Sequence, residues 1–285
     1  MLEYAELGKY SLDQWEHEFG EIYGKVDAHR TPAEMWLLMM EDAAKFAEAI
    51  RLEKYGVALG KIARVFGWAC SYVARCRHPG ALGEFELKKE LSMIVWNKFP
   101  YRCCLCAQPR CTCSVRRGIL EELDQKGKAR ELEKVRDALS VARTDTKDFP
   151  HTLDGFNDMF SSIYTGAHYS LPIEAIVLHL MEEVGEVASC IRDIREGNNS
   201  KSAAELLEAL ENEIADIISW IASSVSKLDY ILGAPKALDE HTPGPQRMGL
   251  KLSEILWREF KDPERPGLWC RICRSRPCKC VPKAL

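Results

Sequence analysis

Apolar residues recur along this chain every three to four positions, and the period-two alternation of strands is almost absent. The pattern predicts an all-α protein. In "LHLMEEVGEVASCIRDI" the residues Leu180, Val187, Ile191 and Ile194 fall on one apolar arc, counting about 100° per residue. In "ALENEIADIISWI" the residues Leu210, Ile214, Ile217 and Ile221 make an equivalent arc. The later half is expected to form helices over 151–165, 172–196, 202–228 and 248–261. A Gly-Asn-Asn turn after Glu196 and the loop "LGAPKALDEHTPGPQ" punctuate them.

The same pattern is written twice. "SLDQWEHEFGEIYGKVDAHRTPAEMWLLMMEDAAKFAEAIR" (11–51) aligns with "TLDGFNDMFSSIYTGAHYSLPIEAIVLHLMEEVGEVASCIR" (152–192), pairing Leu12 with Leu153, Tyr23 with Tyr164 and Ile50 with Ile191. "KIARVFGW" (61–68) then aligns with "EIADIISW" (213–220), and "LSMIVW" (91–96) with "LSEILW" (252–257). Each copy closes on a cysteine cluster. Such order argues for an internal repeat of small bundles of about four helices each. The expected organisation is a first domain over 1–117, a charged connector over 118–147 with a helix at 118–143, and a second domain over 148–285. The connector's charges read as a solvated face.

A chain of 285 residues accommodates two such domains, and its formal net charge of −4 argues against a dedicated nucleic-acid binder. The amino-terminal stretch lacks an apolar signal region, and "IADIISWIASSV" is too short to span a bilayer, so no membrane partner is expected and a cytoplasmic location is.

Against the apolar arcs, carboxylates crowd. Glu183 and Glu186 lie three residues apart at the edge of one arc; Glu213 and Asp216 repeat that spacing on the other. If the arcs pack antiparallel, four anions share one partly desolvated seam, and they repel one another there. A hard divalent cation relieves the conflict, Mg²⁺ or Mn²⁺, and more than one ion is conceivable. The first copy offers a control. At the matching positions it has Asp42, Lys45, Lys61 and Arg64, so three of the four acids have become bases while the surrounding apolar positions persist. A solvated face has little reason to exchange charge so selectively. The reading is one metal site in the second copy and a salt-bridged counterpart in the first.

The "EEVGE" of 182–186 followed by "EIAD" of 213–216 resembles the paired motif of the MazG-like all-α nucleoside triphosphate pyrophosphohydrolases, over about 100 residues of the second copy and in degenerate form in the first. The resemblance implies Mg²⁺-dependent hydrolysis of an NTP or dNTP substrate to the monophosphate and pyrophosphate. It implies metal ligands at Glu183, Glu186, Glu213 and Asp216, with Glu182 as a further ligand or a group orienting the attacking water. It also implies phosphate or base contacts from Lys251 and Arg258 on the last helix, although Ile255 stands where relatives carry Asn. Trp220 reads as core, because Trp68 stays beside the lost site. Members of the family work as oligomers, so the repeat implies a pseudo-dimer fused in one chain, open to further self-association. The alternative is a nucleotide-sensing or scaffolding protein that binds a metal–nucleotide complex without hydrolysing it.

Of the chain's 12 cysteines, Cys103, Cys106, Cys111 and Cys113 read C-x2-C-x4-C-x-C, as do Cys270, Cys273, Cys278 and Cys280. Four closely spaced thiolates fit a closed, structural Zn²⁺ site, two per chain; an iron–sulfur cluster and unliganded thiols are the alternatives. Each knuckle is expected to staple one end of a bundle. Arg271, Arg274, Arg276 and Lys279 around the second leave nucleic-acid contact as the weaker reading. Cys70, Cys76 and Cys190 are expected as small buried residues.

Overall fold

The computed structural model describes residues 4–114, 123–197, 200–233 and 248–280. The first copy contributes α1 (Tyr4–Leu7), α2 (Leu12–Asp27), α3 (Pro32–Arg51), α4 (Tyr55–Cys76) and α5 (Leu91–Lys98). Then come α6 (Gln125–Thr144), α7 (Leu153–Ser170), α8 (Ile173–Glu196), α9 (Ala203–Gly233) and α10 (Leu252–Phe260). Among the described residues there are isolated bridges, such as Lys261 with Leu268, but no strand. The all-α expectation stands.

Local chemistry sets the helix starts. Ser11 and Thr31 each accept a hydrogen bond from the backbone N–H three residues on, and Gln14 and Glu34 reach back to complete capping boxes. Thr31 is followed by Pro32 in the first helical turn, where a missing N–H costs nothing. Ser202 and Glu205 repeat the device ahead of α9. At the other end of α8, Gly197 adopts φ 68°, the left-handed conformation that a helix stop requires. Within the expected connector helix Leu123 and Asp124 are not helical, and Asp124 caps α6 by accepting from the Gly127 N–H. Positions 118–122, Asn198, Asn199 and 234–246 of the expected loop lie outside the described residues. α7 and α9 outrun their expected ends, reaching Ser170 and Gly233; in α9 the apolar Ile231 still packs against the core beyond the expected stop.

One hydrophobic core runs through both copies, with Trp15, Phe19, Phe46, Phe66, Phe99, Phe156 and Phe160 wholly buried. α3 packs on α4, α8 packs on α9, and α3 meets α8 between them, where the Trp36 indole donates to the Val184 carbonyl at 2.6 Å. The short last helices are exchanged. α5 packs along α9 of the second copy, and α10 along α4 of the first. Phe99, capping the end of α5, meets Phe160 edge-on with ring centres 5.2 Å apart; Phe260 from α10 meets Phe19 the same way at 4.9 Å. Burying each such ring contributes about 1.5–3 kcal/mol, so the exchange is an energetic tie between the copies. Each short helix also stays anchored at home, since Ser92 donates through N–H and hydroxyl to Asp13, and Ser253 does so to Asp154.

The knuckles follow the exchange. The Cys111 N–H donates to the Ile163 carbonyl of α7 at 2.7 Å, and the Cys278 N–H to the Ile22 carbonyl of α2 at 2.6 Å. α6 lies against α5: Arg143 O accepts from the Trp96 indole at 3.2 Å, and Val135 and Leu139 bury a narrow stripe beside Ala107. The rest of α6 is largely solvated, as expected.

Candidate functional site

α8 and α9 pack so that Glu183 and Glu186 meet Glu213 across the seam. One carboxylate oxygen from each lies within 4.8 Å of the others. Glu213 keeps an Oε2 that is buried without a hydrogen-bond partner. A buried oxygen with no donor costs about 1–3 kcal/mol or more when charged, which is the condition a cation would relieve. The electrostatics agree. Burial, then the nearby Asp216 carboxylate, pushes Glu183 up to about 7, against a hydrogen bond from Trp220. Burial and the adjacent Glu186 push Glu213 up to about 8. The donor set of oxygens alone suits a hard divalent ion.

Asp216, the fourth expected ligand, stands apart from that trio. Burial raises its carboxyl, while Lys98 opposes the rise by pairing directly with Oδ2. Lys98 ends α5 and also donates to the Asn212 carbonyl at 3.2 Å, so it comes from the first copy. Sequence reasoning missed this residue, and the repeat held the signal. Glu259 occupies the same position on α10, and it pairs at 2.7 Å with Arg64, the residue matching Asp216. The two crossed ion pairs are mirror images with reversed sign.

The first copy's counterpart site is neutralised internally. Arg64 lies 3.7 Å from Asp42, and Asp42 accepts from the Trp68 indole at 3.0 Å. Burial and Arg64 depress the Lys61 ammonium. Lys45 departs from expectation by turning outward to Glu41. Trp220 likewise donates to Glu183 at 3.1 Å while staying half-buried, so it positions a site carboxylate as well as packing. His179 stacks on that indole with ring centres 4.6 Å apart, and its Nδ1 lies 3.2 Å from Glu182, which is exposed and outside the trio.

Lys251 caps the start of α10 and Arg258 lies on it; that helix packs chiefly on α4, α7 and α1, and Arg258 pairs with Glu254 at the surface. The expectation for these two residues assumed that each last helix covers its own copy, whereas α10 packs mainly along the first.

Both cysteine clusters gather four thiols whose sulfurs lie within 4.8 Å of one another. Neighbouring sulfurs are 3.5 and 3.7 Å apart in the first, and 3.3–3.8 Å in the second. A tetrahedron with metal–sulfur bonds of about 2.3 Å needs sulfurs about 3.8 Å apart. Either cluster could therefore hold a structural metal such as zinc. The turns match: Ala107 (φ 55°) and Arg274 (φ 50°) are left-handed, each with its N–H on the carbonyl of the first cysteine. Three cations around the second knuckle are engaged internally. Arg276 grips Glu18 at 2.8 and 3.4 Å, Arg271 lies 3.5 Å from Glu259, and Arg274 donates to the Lys261 carbonyl. Cys70 and Cys76 are buried as expected, whereas Cys190 is half-exposed.

Comparison of the chain with protein-family models, with curated proteins and with solved structures returns no match. No helix among the described residues is long and apolar enough to cross a membrane.

Proposed function

We propose that the chain is a Mg²⁺- or Mn²⁺-dependent nucleotide pyrophosphohydrolase of the MazG-like kind, cleaving an NTP or dNTP to the monophosphate and pyrophosphate. The observation that carries this reading is the convergence of Glu183, Glu186 and Glu213, with a buried Glu213 oxygen left without a donor. When bound, the divalent ion supplies charge neutralisation for the phosphates and activation of a water. Glu183, Glu186 and Glu213 bind it. Trp220 fixes the rotamer of Glu183 through its indole N–H. Glu182, at the open edge, orients the water with His179 holding its carboxylate. Lys98 fixes Asp216 from the opposite side of the seam.

The same reading takes the repeats, with boundaries at 1–117, 118–147 and 148–285, as a pseudo-dimer in which the first copy completes the second. The crossed aromatic pairs, knuckle contacts and ion pairs support it. Each knuckle is read as a zinc staple that ties a short helix to the opposite copy.

One observation favours a sensing role instead. Lys98 already occupies Asp216, so the remaining trio could bind a metal–nucleotide complex and leave it intact. A single assay separates the two. Pyrophosphate release is measured over the common NTPs and dNTPs with Mg²⁺ or Mn²⁺, beside nucleotide binding. Hydrolysis that falls at least ~100-fold in Glu186→Gln and Glu213→Gln supports the enzyme. Metal-dependent binding with no pyrophosphate release supports the sensor. Hydrolysis untouched by both substitutions removes the site assignment.

A further inference from the structure

A second surface lies on the outer side of the α3–α8 pair. The main packing partners of α3 are α4 and α8, and those of α8 are α9 and α3, so each helix keeps one face turned away from both neighbours. Leu37 and Leu178 stand on those faces, 48% and 70% exposed. On α3 the residues Leu37, Met40, Ala44 and Ala47 follow one another at alternating spacings of three and four, and Leu178, Met181, Gly185 and Ala188 repeat the stripe on α8. That spacing is the one by which a helix packs along further helices. A lone exposed leucine is ordinary, but an apolar stripe on an uncovered face is not.

The internal repeat shows that the stripe is kept. Between the copies Leu37 matches Leu178, Met40 matches Met181 and Ala47 matches Ala188; beside them Glu41 matches Glu182 and Arg51 matches Arg192. None of these residues is buried. Core positions of the same two helices differ instead: Met35 stands opposite Ile176 in the alignment, Met39 opposite Leu180 and Phe46 opposite Val187, all of them buried. Within 35–51 only Ile50 and Ile191 are both buried and alike. Substitutions on a free surface cost little stability, so drift should have erased likeness at the outward positions first. Folding therefore does not account for the stripe. Gly185 is an independent sign. It sits inside α8, where glycine weakens a helix relative to alanine, yet a Cβ built there meets nothing within 4 Å. With the small Ala44 at the matching place on α3, it leaves room for another backbone to come close.

The same face carries both halves of a joint. Leu37 and Leu178 protrude, while a cleft of about 480 Å³ lined by Ala33, Trp36, Ala188 and Ile191 lies open between the two helices. The stripes are copies of one another on adjoining helices, so a partner that matches both must itself present a repeated surface. A second copy of this chain does so, through the self-complementary contact of a twofold dimer.

We infer that the α3–α8 face is a self-association surface, on which a second copy of this chain lays its own α3–α8 face, covering Leu37 and Leu178 of both chains in a layer of four helices. The assignment does not rest on the nucleotide reading.

Sedimentation equilibrium of the full-length protein under reducing conditions tests it. The expected result is a reversible dimer of the 32.4 kDa chain, with a Kd of about 10 µM or tighter. The double variant Leu37→Glu, Leu178→Glu should weaken it at least ~100-fold while keeping the wild-type circular dichroism. The single variant Leu178→Gln, a milder change at the more exposed position, should weaken it at least ~10-fold and reads the contact even if the double variant fails to fold. Leu132→Glu with Val141→Glu, at exposed positions of α6, is the control and should leave the dimer intact. A wild type that stays monomeric at ~100 µM overturns the proposal, whether or not the face then captures lipid vesicles or another protein. So does a dimer whose Kd is unchanged by Leu178→Gln, or one that the α6 control weakens as much.

Discussion

Lys98 and Glu259 hold equivalent positions, yet each reaches the opposite copy with opposite charge, one onto Asp216 and the other onto Arg64. Lys98 is therefore an internal counter-ion whose loss leaves a half-buried carboxylate beside three others. Lys98→Met should destabilise the metal-free protein by about 1.5–3 kcal/mol, the range for a hydrogen bond to a charged group. Mg²⁺ should raise its Tm more than it raises that of the wild type, because a fourth anion is then free to attract the ion. Thermal unfolding of both proteins with and without Mg²⁺ checks this, and an equal Mg²⁺ response contradicts it. The raised carboxyls give a second expectation. With Glu183 at about 7 and Glu213 at about 8, the folded state binds protons more tightly than the unfolded one, whose carboxyls titrate near 4.5. Their contribution to stability is complete below about pH 4.5 and is lost as pH rises through 7 to 8. A metal must displace those protons, so Mn²⁺ binding at pH 6.5 should release protons, and affinity should climb until about pH 8. Calorimetry in two buffers of different ionisation enthalpy measures the release; a value of zero at pH 6.5 would count against the site.

At the level of elements, α8 was legible almost residue for residue, because Pro172, the apolar arc and Gly197 mark its start, face and stop. The acidic trio was legible too, since a three-residue spacing on each of two helices with equivalent arcs leaves few ways to pack. The exchange of α5 and α10 was not legible. Periodicity reports which face of "LSMIVWNK" is apolar, but both copies offer that face a similar groove, so the choice is made by tertiary packing. The Lys98 contact and the packing of the helix that carries Arg258 both follow from that one ambiguity. The knuckles inherit it, and a prediction follows. Cys106→Ser should loosen the first knuckle and raise amide exchange in α7, on the second copy, through the lost Cys111–Ile163 support. Cys273→Ser should do so in α2. Hydrogen exchange confined to each knuckle's own copy would show that the crossed contacts carry no stability.

For the whole molecule, the crossed contacts imply that neither half is a self-sufficient fold. A fragment covering 148–285 retains Glu183, Glu186, Glu213 and Asp216 but loses Lys98, the Phe99 ring on Phe160, the Trp36 donor on Val184 and the first knuckle. The face of α8 that meets α3 would be exposed, and so would the stretch of α9 that α5 covers. Large uncovered apolar faces drive association, so the fragment alone should aggregate or pair with itself. Removing one large buried side chain from a core costs about 2–5 kcal/mol, against a total stability of about 5–15 kcal/mol for a domain, so losing several at once exceeds what one bundle can absorb. Co-expression with 1–147 restores each of these contacts without a covalent link. The expected result is a one-to-one complex that binds Mn²⁺ like the intact chain, whereas the later fragment alone binds it at least tenfold more weakly. Size-exclusion chromatography with light scattering and Mn²⁺ titration distinguish the outcomes. A monomeric, cooperatively folded 148–285 fragment with full Mn²⁺ affinity would mean that the first copy is dispensable to the second, and that the reversed-charge pairing across the repeat is incidental to the site.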